Sequence, residues 1–245
     1  MIDADNIIAT IESDPSRFDE HVGDLQTILE SGETDARRSV AQLLGDVAEV
    51  DPQIGTRHPE LLELAFDDEN NIVRGLAVHA VAIITETAPE AGTAFVPHLA
   101  TALADEELAG SAPISGIRTL GAIDRETNTS VSEADEALAA LLRDAPVDVR
   151  ETVAINLDDT VKAAPQEFPA MLRAFVGVLD DPRSMTRLRA AETLTTVAYE
   201  DVEALHDVDE VLAGLKKLRS DDDLSADRVE KMINITEVGA GYVEE

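Results

Sequence analysis

The side chains that most often catalyse reactions or bind metals are few in this chain and are not grouped. Its five histidines are His21, His58, His79, His98 and His206, and no two form an HxxxH or HExxH pair. Cysteine is absent, which excludes disulfides, thiolate nucleophiles and thiolate metal ligands. His58 and His98 flank prolines at predicted helix starts, where we expect a solvated or capping role.

Three acidic runs are the next candidates for a site. They are Asp67-Asp68-Glu69, Asp105-Glu106-Glu107 and Asp221-Asp222-Asp223. None has the alternating acids, central glycine and terminal glutamate of an EF-hand loop, so we expect solvated turns beside the N-termini of second helices. The chain has no GxGxxG, P-loop or GxSxG motif. The sequence therefore predicts no catalytic residue, no metal ligand and no cofactor.

The charge of the chain is strongly one-sided. Its 245 residues include 51 acidic and 19 basic ones, for a net charge of −32 and a pI near 4.2. Only four of the basic residues are lysines. This acid-rich, lysine-poor composition resembles cytosolic proteins of salt-in halophiles, above all haloarchaea; the alternative is an acidic surface for a basic partner. No signal peptide or long apolar segment is present, so we expect a cytoplasmic protein with no membrane partner.

Two series of apolar residues repeat along the chain with steps of 37 or 39 residues. The first series is Leu29, Phe66, Leu103, Leu142, Leu179 and Leu218. The second series is Leu44, Val81, Leu120, Leu157, Leu194 and Ile233. Two series that share nearly the same step indicate an internal repeat.

Each repeat has the pattern of two amphipathic helices, with apolar residues at i, i+3 and i+4. We place the repeats at about 17–52, 54–90, 93–126, 131–166, 168–203 and 205–239, within one domain covering 1–245. In the fourth repeat Ser132 is a plausible N-cap for the first helix. A further helix near residues 3–13 should cover the N-terminal end, because a repeat buries its apolar face only against a neighbour.

Charged residues recur inside the repeats as well. Seven residues before the second series stand Arg37, Arg74, Arg150 and Arg187. Six residues before the last three of them stand Asp68, Asp144 and Asp181. This pattern resembles the consensus of the HEAT-repeat (armadillo-like) family. The resemblance implies an all-α fold, a right-handed α-solenoid of about six helix pairs, in which Asp and Arg of successive turns face one another.

Two repeats depart from this pattern. The arginine position is Pro113 in the third repeat and Ala226 in the sixth, where Arg228 stands two positions late. Pro113 is best placed in a first helical turn, and the arginine pattern should be interrupted there. The third repeat is either a bend in the superhelix or a degenerate repeat.

In HEAT-type stacks the second helices line the concave side, which is where we expect a binding surface. Five residues after the arginine position, a helical side chain should point away from the core. This register contains Gln42, His79, Arg118, Ile155, Glu192 and Lys231. If an apolar patch exists, it should centre on repeats two to four. Asn156 lies toward the buried flank and needs a backbone carbonyl or access to the groove.

These patterns favour a non-enzymatic scaffold or adaptor, expected to be a monomer, that binds a protein or peptide on its concave face. One alternative is an enzyme or small-ligand protein with a pocket near Arg118 in the irregular third repeat, as the resemblance to HEAT-like bilin lyases allows. Another is a nucleic-acid-associated HEAT protein. Direct contact with nucleic acid is not expected, because the net charge opposes phosphate binding.

Overall fold

The computed structural model describes residues 2–108 and 110–243. This part of the chain contains no β-strand and forms 15 α-helices. They are α1 (Ala4–Ser13), α2 (Phe18–Ser31), α3 (Thr34–Val50), α4 (Ile54–Arg57), α5 (Pro59–Phe66), α6 (Asn71–Thr87), α7 (Pro89–Gly92), α8 (Val96–Leu103), α9 (Ala112–Glu126), α10 (Asp135–Asp144), α11 (Val147–Ala163), α12 (Pro169–Gly177), α13 (Ser184–Glu200), α14 (Val208–Lys217) and α15 (Ala226–Gly239).

The helices form six pairs, which confirms the all-α repeat fold predicted from the two apolar series. The first helices of the pairs are α2, α5, α8, α10, α12 and α14, and the second helices are α3, α6, α9, α11, α13 and α15. All twelve residues of the two series are buried, with at most 6% of any one exposed. The series therefore mark the buried core of the helix pairs within each unit.

Proline positions explain several helix starts. The backbone N–H groups of a first helical turn have no intrahelical partner, so proline, which has no N–H, costs no hydrogen bond there. Prolines accordingly lie in the first turns of α5, α8, α9 and α12, and Pro113 in α9 follows the prediction. Ser132, expected to cap α10, instead begins a 3-10 turn (Ser132–Ala134), and α10 starts at Asp135.

The chain divides into two compact units, Met1–Val131 and Ser132–Glu245. In the first unit α6 packs between α3 and α9, and α1 packs against α2 and α3. Ile7 and Ile11 of α1 are buried, as expected for an N-terminal capping helix. In the second unit α13 packs between α11 and α15, and α12 contacts both α10 and α14. Each unit thus presents three neighbouring second helices.

One carboxylate joins adjacent first helices in the second unit. Asp135 at the start of α10 is buried and accepts the backbone amides of Ala170 and Met171 at 2.8 and 2.9 Å. These amides belong to the first turn of α12, which lacks intrahelical acceptors. Desolvation raises the pKa of Asp135 despite these two hydrogen bonds.

The patterned arginines form a ladder between successive turns. The Nη1 atom of Arg37, Arg74, Arg150 and Arg187 donates to a backbone carbonyl of its own turn at 2.7–2.8 Å. The rest of each guanidinium contacts an aspartate 31 or 34 residues later: Asp68, Asp105, Asp181 and Asp221, respectively. In three of these pairs the Nε–Oδ2 distance is 2.6–2.7 Å.

Each ladder aspartate also shapes its own turn. The Oδ1 atoms of the four aspartates accept the backbone amide two residues later at 2.8–3.0 Å. The acidic runs at Asp68, Asp105 and Asp221 are therefore not simply solvated turns as expected, because one carboxylate in each run pairs with an arginine. The aspartate six residues before Arg74 or Arg187 offers that arginine its backbone carbonyl, not its carboxylate.

Asp144, the aspartate of the sequence pattern six residues before Arg150, lies outside the ladder. Its side chain is largely exposed and lies 4.0 Å from Arg143. The arginine position of the preceding repeat is Pro113, which has no guanidinium to donate. Within the first unit the ladder consists of Arg37–Asp68 and Arg74–Asp105, so it stops at the third repeat as expected.

The ladder predicts a specific response to acid. The hydrogen bond from Arg187 holds the pKa of Asp221 below its usual value of 3.8. The stability that this pair contributes is fully present above the unfolded-state pKa and is lost as pH falls through the lower folded-state pKa. We expect Asp221→Asn to lower the free energy of unfolding near neutral pH and to flatten its decline below about pH 4.

Urea unfolding at several pH values would measure this effect. Asp222 is the matched control, because it is the exposed neighbour of Asp221 in the same turn. Asp222→Asn should leave both the stability and its pH profile close to those of the wild type. An Asp221→Asn profile that parallels the wild type would contradict the assignment.

Candidate functional site

The second helices of each unit share an accessible surface, here called the second-helix face. In the first unit its side chains recur every three or four residues and are exposed or half-buried. They form three columns: Asp35, Ser39, Gln42, Asp46 and Glu49 on α3; Ile72, Leu76, His79, Ile83 and Glu86 on α6; and Ser115, Arg118, Ala122 and Arg125 on α9. The columns differ in character: α3 is acidic, α6 is largely apolar, and α9 carries two arginines.

A hollow of about 420 Å³ lies between the first two columns and the capping helix α1. Its apolar lining includes Ile8, Ile72 and Leu76, and 42% of Ile72 is exposed. Its polar lining includes Gln42, whose amide donates to Asp46 Oδ1 at 3.0 Å. The hollow therefore combines an exposed aliphatic wall with an acidic rim.

A second hollow, of about 530 Å³, lies further along the edge between α1 and α3 and shares Ser39 with the first. Half of its eight lining residues are acidic. The carboxylates are Asp3, Asp5, Glu33 and Asp35. Arg38 is the nearby cation, and it lies 3.8 Å from Asp35. This edge of the first unit is consequently a region of strong negative charge.

His79 joins the α6 column to the start of α9. Its Nδ1 lies 3.1 Å from Ser115 Oγ and its Nε2 lies 3.3 Å from Ser111 Oγ. Burial lowers the pKa of His79, which favours the neutral ring. A neutral imidazole between two hydroxyls positions the ring against α9, and no described carboxylate bonds to it as in a catalytic triad.

The two arginines of α9 are, with Lys217 and Lys231, the four basic residues that form no ion pair within the described part of the chain. Fifteen of the 19 basic residues form ion pairs. Among the described residues, Arg118 and Arg125 make neither an ion pair nor a side-chain hydrogen bond, and both are exposed. They are seven residues apart, so they project from one side of α9. Their guanidiniums are available to an external anion.

The second-helix face of the second unit is more internally paired. Asp158 on α11 is buried and contacts Lys162 and Arg189, at 2.9 and 3.3 Å. Glu192 on α13 pairs with Arg189 and with Arg228 of α15. The cations here are thus neutralised by neighbours on the same face, with the exception of Lys231.

The six residues of the predicted concave-face register lie in both units. Gln42, His79 and Arg118 lie on the first unit's face, and Ile155, Glu192 and Lys231 on the second unit's face. Ile155 is 41% exposed, whereas Glu192 is occupied by its two arginines. Asn156 donates to the Thr152 carbonyl at 2.9 Å, the backbone option expected for it.

Sequence reasoning missed Ile72 and Leu76 because it followed a single register. Both residues lie on the same side of α6 as His79, seven and three positions earlier, so continuing the helical period would have found them. An apolar patch centred on repeats two to four stays a prediction; Ile72 and Ile155 are exposed there, one in each unit. At the starts of first helices, where we expected solvated or capping histidines, the rings contact aromatic side chains. His98 packs against Phe66 and Phe95, and His58 packs against Phe18.

Four hollows among the described residues bear on the alternative pocket in the third repeat. Two of them lie on the α1–α3 edge. The other two lie in the fifth and sixth repeats, one beside Arg173 and His206 and one beside Arg187 and Asp221. None of the four is lined by residues 93–126. In the same described ranges no three His, Asp or Glu side chains are grouped to hold a metal ion.

Comparison with known proteins defines the class of fold. No protein-family model and no curated protein matches the chain. Three solved structures of designed armadillo repeat proteins match 87–88% of this chain and 98% of their own, with TM-scores of 0.56–0.58 and 17–19% identity. One was designed for modular peptide recognition, and another is in complex with the peptide (KR)4. The chain therefore has an armadillo/HEAT-like repeat fold.

In the ranges that the structure describes, every helix is too short or too polar to cross a bilayer.

Proposed function

We propose that this chain is a non-enzymatic interaction scaffold that binds a segment of a protein partner on the second-helix face of its first unit. Gln42, His79 and Arg118 would border the bound segment, and Ile72 and Leu76 would form its apolar floor. Ile155 and Glu192 on the second unit's face remain secondary contact candidates, since Glu192 already has two cationic partners.

One observation carries this proposal. The hollow beside α6 places the aliphatic side chains of Ile8, Ile72 and Leu76 beside the carboxylates of Glu12 and Asp46, in a chain with 51 acidic residues. An exposed apolar strip with polar rims is the usual composition of a protein-binding surface, since burying the strip against a partner is favourable. The designed neighbours support the proposal, because one of them holds a peptide and another was made for peptide recognition.

Ile72→Asp should test the proposal directly. A displayed library of random 12-residue peptides would be selected for binding to the full chain in high salt. The affinity of each selected peptide would then be measured by fluorescence anisotropy. We expect selected peptides to contain aliphatic residues and Ile72→Asp to weaken their binding by about tenfold or more, because a carboxylate in the apolar floor must be desolvated.

Met185→Asp is the matched control. Met185 occupies the position in α13 that Ile72 occupies in α6, nine residues before the buried residue of the second series, and its exposure is similar, at 39%. It lies in the second unit, so its replacement should leave peptide affinity unchanged. Failure to enrich any peptide, or equal losses in the two variants, would overturn the proposal.

A further inference from the structure

We infer that the bound segment carries opposite charges at its two ends. Its lysine or arginine residues would lie toward the α1–α3 edge, and its aspartate or glutamate residues toward Arg118 and Arg125 of α9. This inference rests on the proposed function and specifies the partner. It follows from the charges on the two sides of the apolar α6 column.

The α1–α3 side is acidic and favours cationic side chains of a partner. Its two hollows are bordered by acidic side chains from both helices, among them Asp3, Asp5, Glu12, Asp35 and Asp46. Arg38 is the one basic residue that lines either of these hollows. A carboxylate of a partner would add like charge to this edge, whereas a lysine or arginine would neutralise it.

The α9 side demands anions. The chain has 51 acidic residues, and most guanidiniums pair with one of them, yet Arg118 and Arg125 contact no carboxylate among the described residues. They lie about 10 Å apart along the helix, from a rise of about 1.5 Å per residue. Two acidic side chains in the same part of a partner segment could each reach one guanidinium and form a charge-assisted hydrogen bond.

The apolar column sets the order of these contacts. Because α6 packs between α3 and α9, a segment crossing the face meets the acidic column, then Ile72 and Leu76, then the arginines. A nucleic acid following the same path would bring phosphates against Asp46, Glu49 and Glu86, so a protein segment fits this surface better.

The test uses two synthetic peptides with the same apolar centre, taken from the peptide selected most strongly on the wild-type chain. One has two lysines at one end and two glutamates at the other, and the second has two lysines at each end. We expect the wild-type protein to bind the first peptide about fivefold more tightly, since exposed charge pairs contribute modestly.

Arg118→Glu should reverse this preference, weakening the lysine–glutamate peptide and strengthening the all-lysine peptide. Arg143→Glu changes the net charge equally from an exposed position in the second unit and should leave the preference intact. Anisotropy would be recorded for both peptides, and for a single-stranded oligonucleotide, at several salt concentrations.

The outcomes separate the two proposals. If no peptide binds through the apolar centre, both fail. If peptides bind in an Ile72-dependent way without a preference between the two ends, or if Arg118→Glu acts like Arg143→Glu, only the charge polarity is overturned. Tighter binding of the oligonucleotide than of either peptide would assign the arginines to nucleic acid instead.

Discussion

Replacing Arg150 by alanine is expected to lower the free energy of unfolding by about 3 kcal/mol, because it leaves a buried carboxylate without its partner. Arg150 Nε lies 2.6 Å from Asp181 Oδ2, and the Asp181 side chain is only 2% exposed. The same substitution frees the Ala145 carbonyl, which Arg150 Nη1 binds at 2.7 Å. The Asp181 carboxylate would still accept the backbone amide of Arg183 at 2.8 Å, but it would have lost its charged partner.

The measurement is urea unfolding followed by circular dichroism, with Arg143→Ala as the control. Arg143 lies in the same repeat, but 45% of its side chain is exposed and its carboxylate partner is 4.0 Å away. Such an exposed pair contributes at most about 1 kcal/mol.

A compensating variant makes the reason testable. Removing both partners, as in Arg150→Met with Asp181→Leu, should recover much of the lost stability, since replacing a buried ion pair by apolar groups is often close to neutral. Equal effects of Arg150→Ala and Arg143→Ala would mean that the ladder contributes no more than a surface ion pair.

Lowering the salt concentration is expected to destabilise the whole fold. With a net charge of −32, unpaired carboxylates repel one another across both units. This repulsion extends over about 30 Å at 0.01 M ionic strength and only about 3 Å at 1 M. We expect the thermal midpoint to rise by about 10 °C or more between these conditions, equivalent to a few kcal/mol for a chain of this size.

The cause can be separated from general salting-out by changing pH. Near the sequence pI of about 4.2 the net charge approaches zero, so the salt dependence of the midpoint should become small there. Circular dichroism melts in potassium chloride at neutral pH and near the pI would show the difference. A midpoint independent of salt at neutral pH, or an equal dependence at both pH values, would rule out charge repulsion as the cause.

The repeat architecture was predictable from the sequence because it depends on local periodicity. Two apolar series with a 37- or 39-residue step identified the core of all six helix pairs, and every member is buried. The placement of Pro113 and of the four patterned arginines near the starts of second helices was also predictable, because each lies at a fixed distance before a residue of the second series. Helix periodicity placed Gln42 and Arg118 on an exposed side of their helices for the same reason.

Only the tertiary structure decided which groups meet. Arg37 and Asp68 are 31 residues apart. The family resemblance implied that Asp and Arg of successive turns face one another, and the structure shows which aspartate each arginine contacts. The same holds for Arg118 and Arg125. The sequence shows two arginines among many acids, and within residues 2–108 and 110–243 the fold pairs most other arginines but gives these two no carboxylate. Periodicity determines which side of a helix a residue occupies, but ion pairing depends on the neighbouring helix and its register, which are properties of the packed structure.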